Sequence, residues 1–144
     1  MYLGTYAFSI DEKRRTQIPS KWRPENQEME FAVILTNQHQ AGACLRVMEP
    51  KQLEALHARL KAMPSEDPRK DTWMRQLGGN SEIVTLDKAG RITLPPRFAE
   101  EAGLKGEALV VGMFEQFEIW NPERHAQAQT VDSSITRGSM LSLS

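Results

Sequence analysis

The sequence predicts a mainly β fold with short helices, an α+β body in which two tandem halves close one pseudo-twofold β-barrel. Three observations carry this expectation. Residues 9–22 and 85–98 repeat without a gap at a spacing of 76: Asp11/Asp87, Arg15/Arg91 and Pro19/Pro95 coincide, while Ile10/Leu86, Ile18/Leu94, Lys21/Arg97 and Trp22/Phe98 keep their character. Two short apolar runs follow each copy, 31–35 and 44–48 after the first, 108–111 and 116–120 after the second. Each pair then runs into a residue able to cap a helix and a Pro suited to its first position, Glu49-Pro50 and Asn121-Pro122.

Within each copy an alternating strand leads into a polar turn over Asp-x-x-x-Arg, a second short strand, and a Pro that opens a helical turn. A hairpin is the expected unit. Pro50 and Pro122 are 72 apart, so the first copy carries about four extra residues, placed around 37–42. After Pro50, Leu53, Leu56, Leu60 and Met63 recur at helical spacing until Pro64 stops them. A second short helix is expected over 71–77, ended by Gly78-Gly79. From Val131 the chain turns Ser-rich, with Ser133, Ser134, Ser139, Ser142 and Ser144, and reads as a flexible tail. The expected division is therefore a first half over 1–50, connecting helices over 51–80, a second half over 81–130 and a tail over 131–144. A unit of roughly 50 residues buries too little surface to stand alone, so the halves should share one core.

Composition narrows the function. With 40% hydrophobic and 26% charged residues the chain is neither wholly disordered nor a membrane protein. Eighteen Lys and Arg against nineteen Asp and Glu leave a net charge of −1, so any attraction to nucleic acid must come from locally segregated charge. Segregation is present. The segment 11–23 holds Lys13, Arg14, Arg15, Lys21 and Arg23 against Asp11 and Glu12, and 87–99 holds Lys88, Arg91 and Arg97 against Asp87. Such turns suit phosphate contact, because each cation that neutralises a phosphate releases a counterion. Lys21, Arg23 and Arg97 sit on the helical turn after the Pro and face either DNA or a neighbouring subunit.

The chemistry of an enzyme is missing from the motifs. There is no Gly-x-x-x-x-Gly-Lys, Gly-x-Ser-x-Gly or His-Glu-x-x-His, and His39, His57 and His125 are isolated from one another and from carboxylates at metal-ligand spacing. No catalytic residue, metal or cofactor is expected. Cys44 stands alone, which excludes an intrachain disulfide and a cysteine-based zinc site, and it reads as a small buried hydrophobe. The N-terminal segment lacks the basic flank and apolar core of a signal peptide, so a reducing cytoplasm is expected. Trp22 and Phe98 match each other and are assigned to the core rather than to base stacking. Asp11 and Asp87 can accept the N–H groups of their own turns, and Arg15 and Arg91 can pair with those carboxylates, contact DNA, or both.

The twin signatures Asp11-x-x-x-Arg15 and Asp87-x-x-x-Arg91, each followed by an apolar residue, Pro and an aromatic, resemble those of the MraZ family. Gly4-Thr5-Tyr6, Ser9-Ile10, Gly103-Leu104 and Glu118-Ile119-Trp120 extend the resemblance over about residues 1–128. It implies two SpoVT/AbrB-like swapped-hairpin halves and a sequence-specific DNA-binding regulator, a repressor of the division and cell-wall gene cluster. It further implies double-stranded promoter DNA with direct repeats as the partner and a homo-oligomeric ring, an octamer or dodecamer, as the binding form. The expected location is cytoplasmic and nucleoid-associated, with no membrane and no small-molecule substrate. Carried onto this chain, Lys13, Arg14, Arg15, Lys88 and Arg91 become the DNA-contacting set, Asp11, Asp87 and Gly90 the structural turn residues, and Lys21 and Arg97 further candidates.

One position departs from the family pattern, which has Gly before the signature Arg, as at Gly90. The first copy has Arg14. Either Arg14 takes a left-handed conformation at a cost of order 1 kcal/mol, or the turn changes type and Arg14 adds a phosphate contact. The first copy is then expected to contribute more affinity than the second. Two other readings stay open: an antitoxin-like AbrB regulator, whose chains usually carry one hairpin copy, and an oligomeric interaction module that grips an acidic protein or an RNA.

Overall fold

A computed structural model describes residues 1–23, 29–136 and 140–143. The first half begins with β1 (Thr5–Ser9), whose Tyr6 and Phe8 turn toward the core while Thr5, Ala7 and Ser9 stay exposed. It continues through β2 (Arg15–Gln17) and a 3-10 turn at Ser20–Trp22, then β3 (Glu30–Thr36) and β4 (Cys44–Met48). Helices α1 (Pro50–Lys61) and α2 (Arg69–Gly79) connect to the second half, which holds β5 (Ser81–Thr85), β6 (Arg91–Thr93), α3 (Pro96–Glu101), β7 (Glu107–Met113), β8 (Gln116–Trp120) and α4 (Pro122–Thr136). A short 3-10 turn, Met140–Leu143, follows.

Six strands form one antiparallel sheet in the order β1-β7-β8-β4-β3-β5, and β2 and β6 form a separate two-stranded ribbon. The order reads the same from either end once equivalent strands of the two halves are exchanged. Each half's first strand pairs within the other half: β1 lies against β7 with Tyr6 opposite Val110, and β5 lies against β3 with Val84 opposite Phe31. The ribbon likewise joins the halves, with Thr16 opposite Ile92.

The closed barrel expected from the sequence does not form. Strand β1 pairs only with β7 and β5 only with β3, so both ends of the six-stranded sheet remain open. The apolar face is sealed by layering instead. Ile10, Ile18, Leu86, Ile92 and Leu94 from the ribbon and its flanks, with Phe98 and Ala99 of α3 and Ala102 just after it, meet Phe31, Val33, Leu45, Val47, Val110, Phe117 and Ile119 of the sheet in one buried cluster. Because side chains alternate along a strand, β3 sends Ala32 and Ile34 to the opposite face. There they pack with Met48 against Leu53 and Leu56 of α1 and Leu77 of α2. On that face α4 places Ala128 against Cys44 and Trp120. With helices of 12 and 15 residues covering the second face, the fold is mixed α/β with two sheets, and not a mainly β body with short helices.

The extra residues of the first copy fall where the repeat spacing puts them, since β3 and β4 are joined by residues 37–43 and β7 and β8 by Phe114-Glu115 alone. Helix α2 is longer than expected and includes Gly78 and Gly79 in its last turn. The tail expected from Val131 is helical as far as Thr136. Its hydroxyls are absorbed by the helix, Ser133 Oγ donating to the Gln129 carbonyl at 2.8 Å and Ser134 Oγ to that of Val131 at 2.7 Å. Of the remaining tail, residues 137–139 and 144 lie outside the described residues. Among the described residues no helix is long and apolar enough to cross a membrane.

Candidate nucleic-acid interface

The two Asp-x-x-x-Arg segments fold into the same turn. Asp11 N–H donates to the Arg15 carbonyl at 3.1 Å and Asp87 N–H to the Arg91 carbonyl at 2.8 Å, closing the loop from backbone to backbone. Inside it Asp11 Oδ1 accepts the N–H groups of Lys13 at 3.0 Å and Arg15 at 2.8 Å, and Oδ2 accepts Arg15 Nε at 2.6 Å. Asp87 does the same with Ala89, Arg91 and Arg91 Nε at 2.9, 2.9 and 3.0 Å. An Asp fits here because its short carboxylate can accept N–H groups two and four residues on, a geometry that replaces missing ladder bonds.

These bonds favour the ionised acid. Asp11 is held below the ordinary carboxylate range, first by the Arg15 N–H and then by the Arg15 guanidinium. At Asp87 burial works the other way, and hydrogen bonds from the Arg91 backbone and side chain outweigh it to lower that carboxyl too. The turns also touch each other, for Arg91 Nη1 reaches Asp11 Oδ2 at 4.0 Å.

The ribbon sets which side chains face outward. Thr16 and Ile92 are buried, so strand alternation turns Arg15, Gln17, Arg91 and Thr93 away from the core, with Arg15 opposite Thr93 and Gln17 opposite Arg91. Lys13 and Lys88 stand exposed at the turn tips. The structure thus brings Lys13, Arg15, Lys88 and Arg91 to one ribbon with its turns side by side. Gln17, beside Arg91, escaped the sequence reading; its signal was its place one step from the buried Thr16.

Arg14 and Gly90 both have positive φ, 63° and 79°. The first turn therefore keeps its type, and Arg14 bears the left-handed conformation; its Nε donates to the Leu94 carbonyl at 3.2 Å. Lys21 is exposed in the 3-10 turn. Arg97 is engaged at the end of α2, donating to the Gly79 carbonyl at 2.8 Å and Asn80 Oδ1 at 3.2 Å, with Glu101 at 3.6 Å. Trp22 and Phe98 are buried in the core.

A concavity of about 420 Å³ lies between α4 and the sheet, lined among others by His39, Arg46, Glu118, Trp120 and Asp132. Several of its polar groups pair with one another: Glu118 accepts Arg46 Nη2 at 2.9 Å and Trp120 Nε1 at 2.9 Å, and His39 Nε2 meets Asp132 at 2.9 Å, while Arg46 Nε is buried without a partner among the described residues. Among the described residues no group of His, Cys, Asp and Glu is placed to hold a metal ion.

Residues 77–137 match a family model described as "MraZ protein, putative antitoxin-like". A protein of Shewanella frigidimarina (strain NCIMB 400) named transcriptional regulator MraZ is 30% identical over 132 residues, 92% of this chain and 86% of the relative. Proteins of the same name from Pseudomonas fluorescens (strain Pf0-1) and Burkholderia cenocepacia (strain HI2424) are each 31% identical, over 85% and 87% of this chain and 82% and 85% of the relatives. The chain belongs to the MraZ family.

Proposed function

We propose that this chain is a sequence-specific DNA-binding transcriptional regulator, a repressor of the division and cell-wall gene cluster, that reads direct repeats in promoter DNA through its paired basic turns. The relatives are named transcriptional regulators, and the chain is a regulator rather than an enzyme. The observation that carries the reading is the β2–β6 ribbon, which sets Arg15 and Arg91 outward on one face with Lys13 and Lys88 at the adjoining tips. An arginine in the major groove can bind guanine O6 and N7 bidentately, worth about 1–3 kcal/mol of discrimination. Both arginines are held by their aspartates through Nε, which fixes the guanidinium and leaves Nη groups for a base or phosphate, although Arg91 Nη1 also lies 4.0 Å from Asp11 Oδ2.

One such face discriminates too little to find an operator. A homo-oligomeric ring of octamer or dodecamer size presents several faces at fixed spacing, so weak contacts multiply where the DNA repeats match that spacing. The regulator would act in the cytoplasm, on the nucleoid. A gel-shift titration with the DNA upstream of the protein's own gene tests the reading, with wild type compared against the Arg15→Ala/Arg91→Ala double variant. Specific, salt-sensitive binding that disappears in the double variant is expected. Specific binding retained by a folded double variant removes the assigned site, and wild-type indifference to the DNA removes the function.

A further inference from the structure

The two turns differ at one pair of positions. Leu94 N–H donates to the Arg14 carbonyl at 2.8 Å and Ile18 N–H donates to the Gly90 carbonyl at 3.0 Å, so Arg14 and Gly90 hold equivalent places across the pseudo-twofold. The 76-residue repeat likewise pairs Arg23, just past the first 3-10 turn, with Ala99 of α3. Arginine and a small residue are therefore exchanged: Arg14 with Ala99 on one side, Gly90 with Arg23 on the other.

The structure gives this exchange a physical meaning. A Cβ added to Gly90 would collide with the Arg23 guanidinium, with Cζ at 2.5 Å and Cδ at 3.0 Å from its position. The guanidinium of Arg23 thus lies where a side chain of residue 90 would begin. The first turn carries its own arginine at this place and needs none from the neighbouring helical segment. The second turn carries glycine, and the arginine arrives from Arg23.

We propose that Arg23 is a DNA-contacting residue of the second turn, supplying beside Gly90 the cation that Arg14 supplies to the first. The inference rests on the DNA-binding reading above. It gives the two turns three cations each, Lys13, Arg14 and Arg15 on one side, Lys88, Arg91 and Arg23 on the other, with Glu12 as an extra acid in the first. Counted along the chain alone, Arg23 belongs to the first copy and makes the copies look unequal. Counted in space, it belongs to the second, and the greater affinity expected of the first turn disappears.

The salt dependence of promoter binding tests this, because taking one cation off a phosphate makes the slope of log K against log salt shallower by about 0.9 per engaged subunit. Wild type, Arg23→Ala, Arg23→Lys, Arg23→Ala/Gly90→Arg and Arg15→Ala/Arg91→Ala are titrated with the same upstream duplex, with thermal unfolding as the check of folding. Arg23→Ala is expected to flatten the slope, while Arg23→Lys and the Arg23→Ala/Gly90→Arg exchange keep it near the wild-type value. An unchanged slope in Arg23→Ala overturns the proposal. So does a slope that neither Arg23→Lys nor the exchange variant preserves, since Arg23 would then act only by propping the turn. If Arg15→Ala/Arg91→Ala loses binding while Arg23→Ala matches wild type, this inference alone fails; if Arg15→Ala/Arg91→Ala binds like wild type, the DNA-binding site itself is wrong.

Discussion

Thr16 and Ile92 face each other across the two-stranded ribbon, both 1% exposed, and the Thr16 hydroxyl has no hydrogen-bond partner among the described residues. The pair joins the two halves of the chain directly beneath the basic turns. A buried hydroxyl left unpaired costs about 1–3 kcal/mol, whereas the matching site in the second copy is filled by an aliphatic side chain. Thr16→Val is nearly the same shape without the hydroxyl. It should raise stability by about 1 kcal/mol, read as a higher denaturant midpoint with an unchanged slope. An equal or lower midpoint would show that the hydroxyl is satisfied.

The left-handed turn position gives a second prediction. Arg14 at φ 63° carries a side chain in backbone space that glycine enters freely, so Arg14→Gly should relieve about 1 kcal/mol, less whatever its Nε contact with the Leu94 carbonyl contributes. Gly90→Ala meets the opposite situation. It adds the same backbone penalty, while the Cβ meets only the flexible end of Arg23, which can swing aside, so it should destabilise by about 1 kcal/mol. Combining Gly90→Ala with Arg23→Ala should leave that loss nearly unchanged in equilibrium unfolding, because the backbone term dominates it.

Acid sensitivity follows from the turn aspartates. Asp11 and Asp87 both titrate below their ordinary range in the folded protein. A carboxyl whose folded pKa is depressed contributes stability that is present above its unfolded value, near about 3.9, and is lost as the pH falls through the folded value. Stability should therefore decline below about pH 4, and Asp11→Asn/Asp87→Asn should flatten that decline while lowering stability at neutral pH. Both carboxylates are more than a third exposed, so solvent screening keeps the effect modest. Asp67, held at about 2 by Arg69 beside α2, contributes an acid response of the same sign and stays intact in the double variant.

What was readable in the sequence was local. Asp-x-x-x-Arg specifies its own turn because donors and acceptor lie within five consecutive residues, and helices α1 and α4 start where Pro50 and Pro122 place them. Sheet closure was not readable, because it depends on whether β1 and β5, whose partners lie far along the chain, find each other. Helix α4 ran past the Ser-rich boundary since Ser133 and Ser134 could return their hydroxyls to helical carbonyls, which composition does not reveal. Arg23 was visible as charge, but its turn was not. Only the clash at Gly90 assigns it to the second copy.

Cys44 gives the last prediction. Burial pushes its thiol up to about 12, and the neighbouring Glu118 carboxylate adds to the rise while Arg46 opposes it. Glu118 lies 3.8 Å from the sulfur and 2.9 Å from Arg46 Nη2, so the thiol, the acid and the base form one small cluster on the face that α4 covers. The reactive form is the thiolate, of which almost none exists at about pH 8 when the pKa lies so high. Alkylation at that pH should be slow in the native protein and fast in denaturant, where the thiol returns to its ordinary range. Glu118→Gln removes the negative charge and should speed native alkylation relative to wild type, with mass spectrometry following the single thiol. Native alkylation as fast as that of the unfolded chain would mean that α4 does not stay packed over Cys44, because neither burial nor Glu118 would then be suppressing ionisation.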